Sequence, residues 1–251
     1  MQILKVISLL LDYPDECLRE AHAELAGAID AAREISPQLR TALRVLLEEL
    51  SSGELMDAQE RYTDLFDKGR ALSLLLFEHV HGESRDRGQA MVDLMAQYEA
   101  AGFAIGVREL PDYIPLYLEY LATREDLEAR EGLANVVHLL ALLSARLDER
   151  GSPYAACFHA LLQIVGEPVQ ETLASLREQV AAEERDDSLE ALDKIWEEEQ
   201  VNFLQAEQQD RCPSMPSGPG KAREESPVPL HWTDFKHDGQ AAALAQEVRN
   251  V

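Results

Sequence analysis

The sequence predicts an all-α fold. Apolar residues recur at helical spacing in nearly every segment up to about Phe203, no segment shows strict apolar–polar alternation, and short Pro- or Gly-marked connections separate the segments. About ten such segments and no repeat period argue for a single compact bundle rather than a solenoid. Ile3, Val6, Ile7, Leu10 and Leu11 form the first stripe, which Tyr13-Pro14 stops because proline cannot continue the helix. Leu18, His22, Leu25 and Ile29 form a second. Ser36-Pro37 reads as an N-cap with proline at the first helical position, followed by Leu39, Leu43, Leu46 and Leu50 and ended near Gly53. Leu55, Tyr62, Leu65 and Phe66 come next, and then Met91, Leu94, Met95 and Tyr98, closed near Gly102.

The later segments follow the same rule. Ile114, Tyr117, Leu118 and Leu121 share one stripe. Leu133, Val136, Val137, Leu140 and Leu147 mark the most apolar segment, expected as one central helix with His138 as a satisfied core histidine. Tyr154, Phe158, Leu161, Leu162 and Val165 follow Ser152-Pro153, and Val169, Leu173, Leu176 and Val180 follow Pro168. A last helix carries Leu189, Leu192 and Trp196 behind a Ser188 cap. Residues 1–205 are expected as the helical domain. Residues 206–251 are expected as a flexible Pro/Gly/Ser-rich tail, with five prolines between 213 and 229 and an aromatic element at 230–235 that either docks or stays exposed.

The 251 residues carry 23 Lys and Arg against 47 Asp and Glu, a net charge of −24. Nucleic acid and anionic membrane surfaces are disfavoured partners, since both are bound by neutralising negative charge. A basic peptide or protein suits such a surface. Between Glu183 and Glu199 nine acids face Arg185 and Lys194, a run that reads as a solvated helix face or as a docking surface for cations. Cys17, Cys157 and Cys212 are odd in number and far apart, which fits free thiols in a reducing cytoplasm. The apolar stretch from Val6 to Leu11 is too short for a secretory signal, and no stretch is long enough to span a bilayer.

Catalytic chemistry finds little support. Glu78-His79-Val80-His81 holds one Glu-x-x-His pair, where a di-iron bundle needs two pairs and two further glutamates. Gly218-Pro-Gly-Lys221 lacks the remainder of a phosphate loop. Ser144 and Cys157 have no base at a suitable spacing. The chain is therefore expected to be a binding protein, neither an enzyme nor the holder of a metal or cofactor.

Two stretches carry more pattern than packing requires: Tyr62-Thr-Asp-Leu-Phe-Asp67 with Leu72 to Gly88, and Glu109-Leu-Pro-Asp-Tyr-Ile-Pro-Leu-Tyr-Leu-Glu-Tyr-Leu121. In the first, Ser84 is placed to cap the next helix. In the second, Tyr113, Tyr117 and Tyr120 with Glu119 either line an amphipathic groove or lie in the core with hydroxyls at the rim.

The strings 109–121 and 76–94, with Leu10-Leu-Asp-Tyr-Pro-Asp15, resemble the signature segments of the NarJ family. These proteins are the molybdenum cofactor assembly chaperones, or delta subunits, of respiratory nitrate reductase, and the resemblance extends to about residue 205. It implies a cytoplasmic chaperone that binds the N-terminal segment of the catalytic alpha subunit, transiently within the alpha–beta complex. It further implies support for insertion of the molybdenum cofactor and the iron–sulfur cluster, and a delay in membrane docking. In the wider family Pro111, Asp112, Leu118, Glu119 and Leu121 match the peptide-binding region, and His is frequent where this chain has Tyr113. Helix-in-groove recognition then places the client's apolar face on Tyr62, Phe66, Phe77, Tyr113, Tyr117, Tyr120 and their leucine neighbours. Asp67, Glu78, Asp112 and Glu119 are expected to pair with its cations. The competing reading is an acidic helical scaffold without a redox-enzyme client.

Overall fold

Ten residues of mostly apolar sequence follow Met1, and in the computed structural model they wind into α1 (Gln2–Leu11), which buries Ile3, Leu4, Val6, Ile7, Leu10 and Leu11. The structure describes residues 1–81, 85–106, 109–183, 185–188, 190–191 and 193. Among them are twelve α-helices and no strand. The second predicted stripe is divided at Ala21 into α2 (Glu16–Glu20), capped by the Asp15 carboxylate, and α3 (His22–Ala31). His22 is not in the core: it lies 3.1 Å from Glu48 on the surface. The helix α4 (Pro37–Ser51) starts as its sequence predicts, with Ser36 Oγ accepting from the Leu39 N–H. Ser36→Ala is expected to cost about 1 kcal/mol in a denaturant-unfolding measurement, the usual worth of an N-cap.

Next come α5 (Leu55–Phe66), α6 (Leu76–His81), α7 (Arg85–Ala100) and α8 (Ile114–Ala122). Gly53 and Gly102, expected as helix ends, have φ of +76° and +74°, a region that glycine enters without steric cost. On α7, Leu94 and Tyr98 turn inward while Met95 is exposed. The Ser84 cap lies outside the described residues. The segment expected as one central helix is two, α9 (Asp126–Asn135) and α10 (Val137–Glu149), broken at Val136 with φ −115° and ψ 10°. Asn135 favours turns, and two β-branched residues follow it. His138 is exposed rather than core.

The central helix is α11 (Ala155–Val165). Every residue in it except His159, Gln163 and Val165 is buried, and it packs on α1, α4, α9, α10 and α12 (Val169–Ala181). Its small residues Ala155, Ala156 and Ala160 allow that close approach from several sides. The helices α1 and α8 form the other main pair, where buried Ser8 donates to the Pro115 carbonyl at 2.7 Å. One contact positions the functional site: Leu75 and Tyr113 form an isolated antiparallel bridge. The Ile114 N–H donates to Leu74 at 2.8 Å and the Leu76 N–H to Asp112 at 2.9 Å, which lays the two patterned stretches side by side.

No helix among the described residues is long and apolar enough to cross a membrane. Ser188 Oγ accepts from the Ala191 N–H at 3.1 Å, as expected of a cap. Leu189, Leu192 and Trp196 of the last predicted helix, the 206–251 tail and its 230–235 element lie outside the described residues.

Candidate functional site

Three elements converge on one cleft of about 310 Å³: the end of α1 with Asp12 and Tyr13, the last turns of α5 with Tyr62, Phe66 and Asp67, and the paired segments Ser73–Leu75 and Glu109–Tyr113. Amphipathic packing explains the α5 contribution. Tyr62 and Phe66 are four residues apart on the buried face, and Asp67 is exposed just beyond the helix end. Tyr13 is exposed because Pro14 ends helical structure there and turns the chain outward.

The wall of the cleft is an aromatic cluster. The Tyr62 ring stands edge-on to Tyr13 at 5.5 Å and tilts against Phe66 at 4.9 Å. Tyr154 closes the back, 5.0 Å from Phe66. The polar tips form a chain: the Tyr62 hydroxyl lies 3.0 Å from the Leu11 carbonyl and 3.0 Å from the Tyr113 hydroxyl, which donates to Asp12 Oδ1 at 3.0 Å. Burial, with acidic neighbours adding to it, raises both phenols far above the ordinary tyrosine value, so both stay protonated donors. Asp12, Asp67 and Glu109 are exposed at the rim. Partial burial raises the Asp67 carboxyl above its usual value, opposed by a hydrogen bond from Thr63. The arrangement suits an apolar or aromatic side chain flanked by a cation.

The structure divides the predicted site residues. Tyr62, Phe66, Asp67 and Tyr113 meet in this cleft. Tyr117, Tyr120 and Leu121 border a different, polar cavity of about 470 Å³ with Arg124, Glu128 and Glu131. For these tyrosines the core alternative holds, as both are buried; Tyr117 donates to the Gly132 carbonyl at 3.0 Å, and Tyr120 stacks on Tyr98. Leu118 and Leu121 are buried, as is Pro111, whose carbonyl accepts from the Tyr98 hydroxyl at 2.8 Å. Glu119 is half-buried on α8 and lines neither cavity.

Asp112, expected at the surface, is fully buried. Its Oδ2 accepts from the Phe77 N–H at 3.0 Å, satisfying a donor at the start of α6, while Oδ1 has no hydrogen-bond partner among the described residues. Glu78 also turns inward: Oε2 accepts from Ser73 at 2.5 Å, and Oε1 lies 3.9 Å from Arg70. Both carboxylates are engaged by the chain's own groups, and neither lines the cleft. Asp12, Tyr13, Glu109 and Ser73–Leu75 also line the cleft; all lie in the patterned strings of the sequence, but none is among the residues expected to meet the client. Among the described residues no group of three or more His, Cys, Asp or Glu is placed to hold a metal ion.

The sequence pattern of the nitrate reductase delta subunit family matches residues 18–160. Over 239 residues the chain is 47% identical to the probable nitrate reductase molybdenum cofactor assembly chaperone NarW of Escherichia coli K12, covering 95% of this chain and 99% of that one. It is 51% identical over 201 residues to the nitrate reductase molybdenum cofactor assembly chaperone NarJ of the same strain, 80% of this chain and 84% of the other. A probable NarJ chaperone of Bacillus subtilis 168 is 35% identical over 157 residues, 62% and 84% of the two chains.

Proposed function

The chain belongs to the nitrate reductase delta subunit family, and from that premise we propose that it is a system-specific chaperone for nitrate reductase whose cleft at Asp12, Tyr62 and Tyr113 receives the N-terminal segment of the catalytic alpha subunit. Its role is not catalytic. By holding the client, alone or within the alpha–beta complex, it keeps open a state in which molybdenum cofactor and iron–sulfur cluster enter the client, and it delays docking to the membrane subunit. That requires tighter binding to the open client than to the finished one, because a ligand shifts an equilibrium only by its difference in affinity.

The observation that carries this reading is an aromatic wall beneath an acidic rim. Tyr13 is 49% exposed beside buried Tyr62, and Asp12, Asp67 and Glu109 stand around the opening. An amphipathic helix of the client lays its apolar face on the rings, while its Lys or Arg side chains meet the rim. The charges act mainly on encounter and register.

The test is a rapid-mixing titration with a peptide copying the alpha subunit's N-terminal segment. Replacing Asp67 by Asn and Glu109 by Gln together is expected to slow association about tenfold at low salt and to leave dissociation nearly unchanged. An association rate that neither the substitutions nor salt alters would refute the electrostatic part. A peptide that fails to bind the unaltered protein would refute the reading itself.

A further inference from the structure

The acidic run after α12 meets cations, and they are the chain's own. Arg146 on α10 donates Nε and Nη2 to the two oxygens of Glu183 at 2.8 and 3.0 Å, a bidentate pair. Arg150, one turn on, reaches Asp187 at 3.0 Å and Asp186 at 3.4 Å, and Arg185 closes on Asp187 at 2.6 Å. Arg150 and Asp187 are mostly shielded from water, with side chains 13% and 9% exposed, so these pairs are screened less than surface ones. The expectation of a solvated helix face fails for this part of the run.

The same strap grips the loop that follows α5. Asp186 Oδ2 accepts from the Ala71 N–H at 2.6 Å, and Arg146 Nη1 donates to the Ala71 carbonyl at 2.8 Å. Both backbone polar groups of one residue are thus held by the strap and its arginine. A Cβ on Gly69 would lie 2.6 Å from the Asp186 carboxylate, which would have to shift to admit it. Two residues beyond Ala71 begin Ser73–Leu75, the cleft wall, where Leu74 and Leu75 pair with Ile114 and Tyr113.

We infer that the strap formed by Glu183 and 185–187 sets the position of the Ser73–Leu75 side of the cleft, which makes Arg146, Arg150 and Asp186 positioning residues for client recognition although none of them lines the cleft. The inference rests on the client-binding reading of that cleft. A wall already fixed by the strap spares the client the cost of ordering it, and that cost otherwise appears as lost affinity. The coupling runs through contiguous bonded groups: α10 to strap, strap to Ala71, Ala71 to Ser73–Leu75.

The experiment measures association and dissociation of the alpha-subunit peptide with the full chain and with Arg150→Ala and Asp186→Ala, alongside hydrogen exchange at the Ala71 amide. Each variant is expected to bind about tenfold more weakly through faster dissociation, as most changes within one interface act. The association rate should hold within about twofold, because the rim acids that steer encounter are untouched. Exchange at Ala71 should accelerate, and Arg150→Lys should recover most of the affinity by keeping a cation opposite Asp187. Gly69→Ala, which displaces Asp186 from the loop side, should reproduce the loss and stands in for any variant that fails to fold by circular dichroism. Accelerated exchange at Ala71 with unchanged peptide affinity would overturn the inference. If the unaltered protein does not bind the peptide, the client-binding reading falls first and this inference with it.

Discussion

Tyr62→Ala is expected to cost about 3–5 kcal/mol of unfolding free energy and to remove client binding, the range seen when a large buried aromatic side chain is deleted. Tyr62 is 3% exposed, and its ring touches Tyr13, Phe66 and Tyr154, so truncation leaves a void that α1, α5 and α11 cannot all close. Tyr62→Phe separates the two roles of the residue. It keeps the ring contacts and removes the hydroxyl that joins the Leu11 carbonyl to the Tyr113 hydroxyl, for an expected cost of about 1–2 kcal/mol. Urea unfolding with peptide titration checks both. A Tyr62→Ala variant within about 1 kcal/mol of the parent would mean the site collapses around the missing ring, and the cleft would then not be a preformed wall.

The cleft is built mostly from core residues showing one edge. Tyr62 and Phe66 belong to the buried cluster that also contains α1 and α11, and only their margins reach the cleft, while Asp12, Tyr13, Asp67 and Glu109 are exposed. The aromatic side of the cleft, Tyr62 and Phe66, moves only if the core moves, whereas the opposite side at Ser73–Leu75 depends on the bonds that hold its loop. Charge at the rim is free to vary in detail, since exposed carboxylates contribute through the summed field more than through any one contact.

What the sequence discloses follows the range of the forces involved. The Ser36 cap, the stop at Pro14 and the turns at Gly53 and Gly102 are settled by neighbours within a few residues, and they stand where the sequence places them. The two patterned stretches are legible as strings. Their faces are not, because which side of 109–121 is buried depends on the bridge from Leu75 to Tyr113, made between segments far apart in the chain. Asp112 beside Pro111 has the local appearance of a first-turn surface acid, and only that bridge turns it beneath α6. Glu183, Asp186 and Asp187 are likewise indistinguishable in sequence from the acids that follow them, until α10 brings Arg146 and Arg150 opposite. The break at Val136 is a local signal that the long apolar pattern outweighed, and exposed His138 follows from it.

Asp112 gives the second large effect, and its pH dependence fixes the mechanism. Asp112→Ala leaves the Phe77 N–H without its acceptor at the start of α6, for an expected loss of about 1–3 kcal/mol. Asp112→Asn keeps a carbonyl oxygen for that donor and should cost much less. Burial raises the carboxyl above its ordinary 3.8, opposed by the Phe77 N–H and then by the Arg87 charge. The folded state therefore holds this proton more tightly than the unfolded chain does. The stability so gained is fully present below about pH 3.8 and is lost as pH rises through the raised folded value. Against the parent, Asp112→Asn should accordingly look progressively better as pH climbs from about 4 to about 7, since it has no proton to lose. Parallel stability curves for the two proteins would show that the carboxyl titrates as it does in the unfolded chain. Peptide binding by Asp112→Asn should match the parent at both pH values, because the residue supports α6 from beneath and presents no charge to the client.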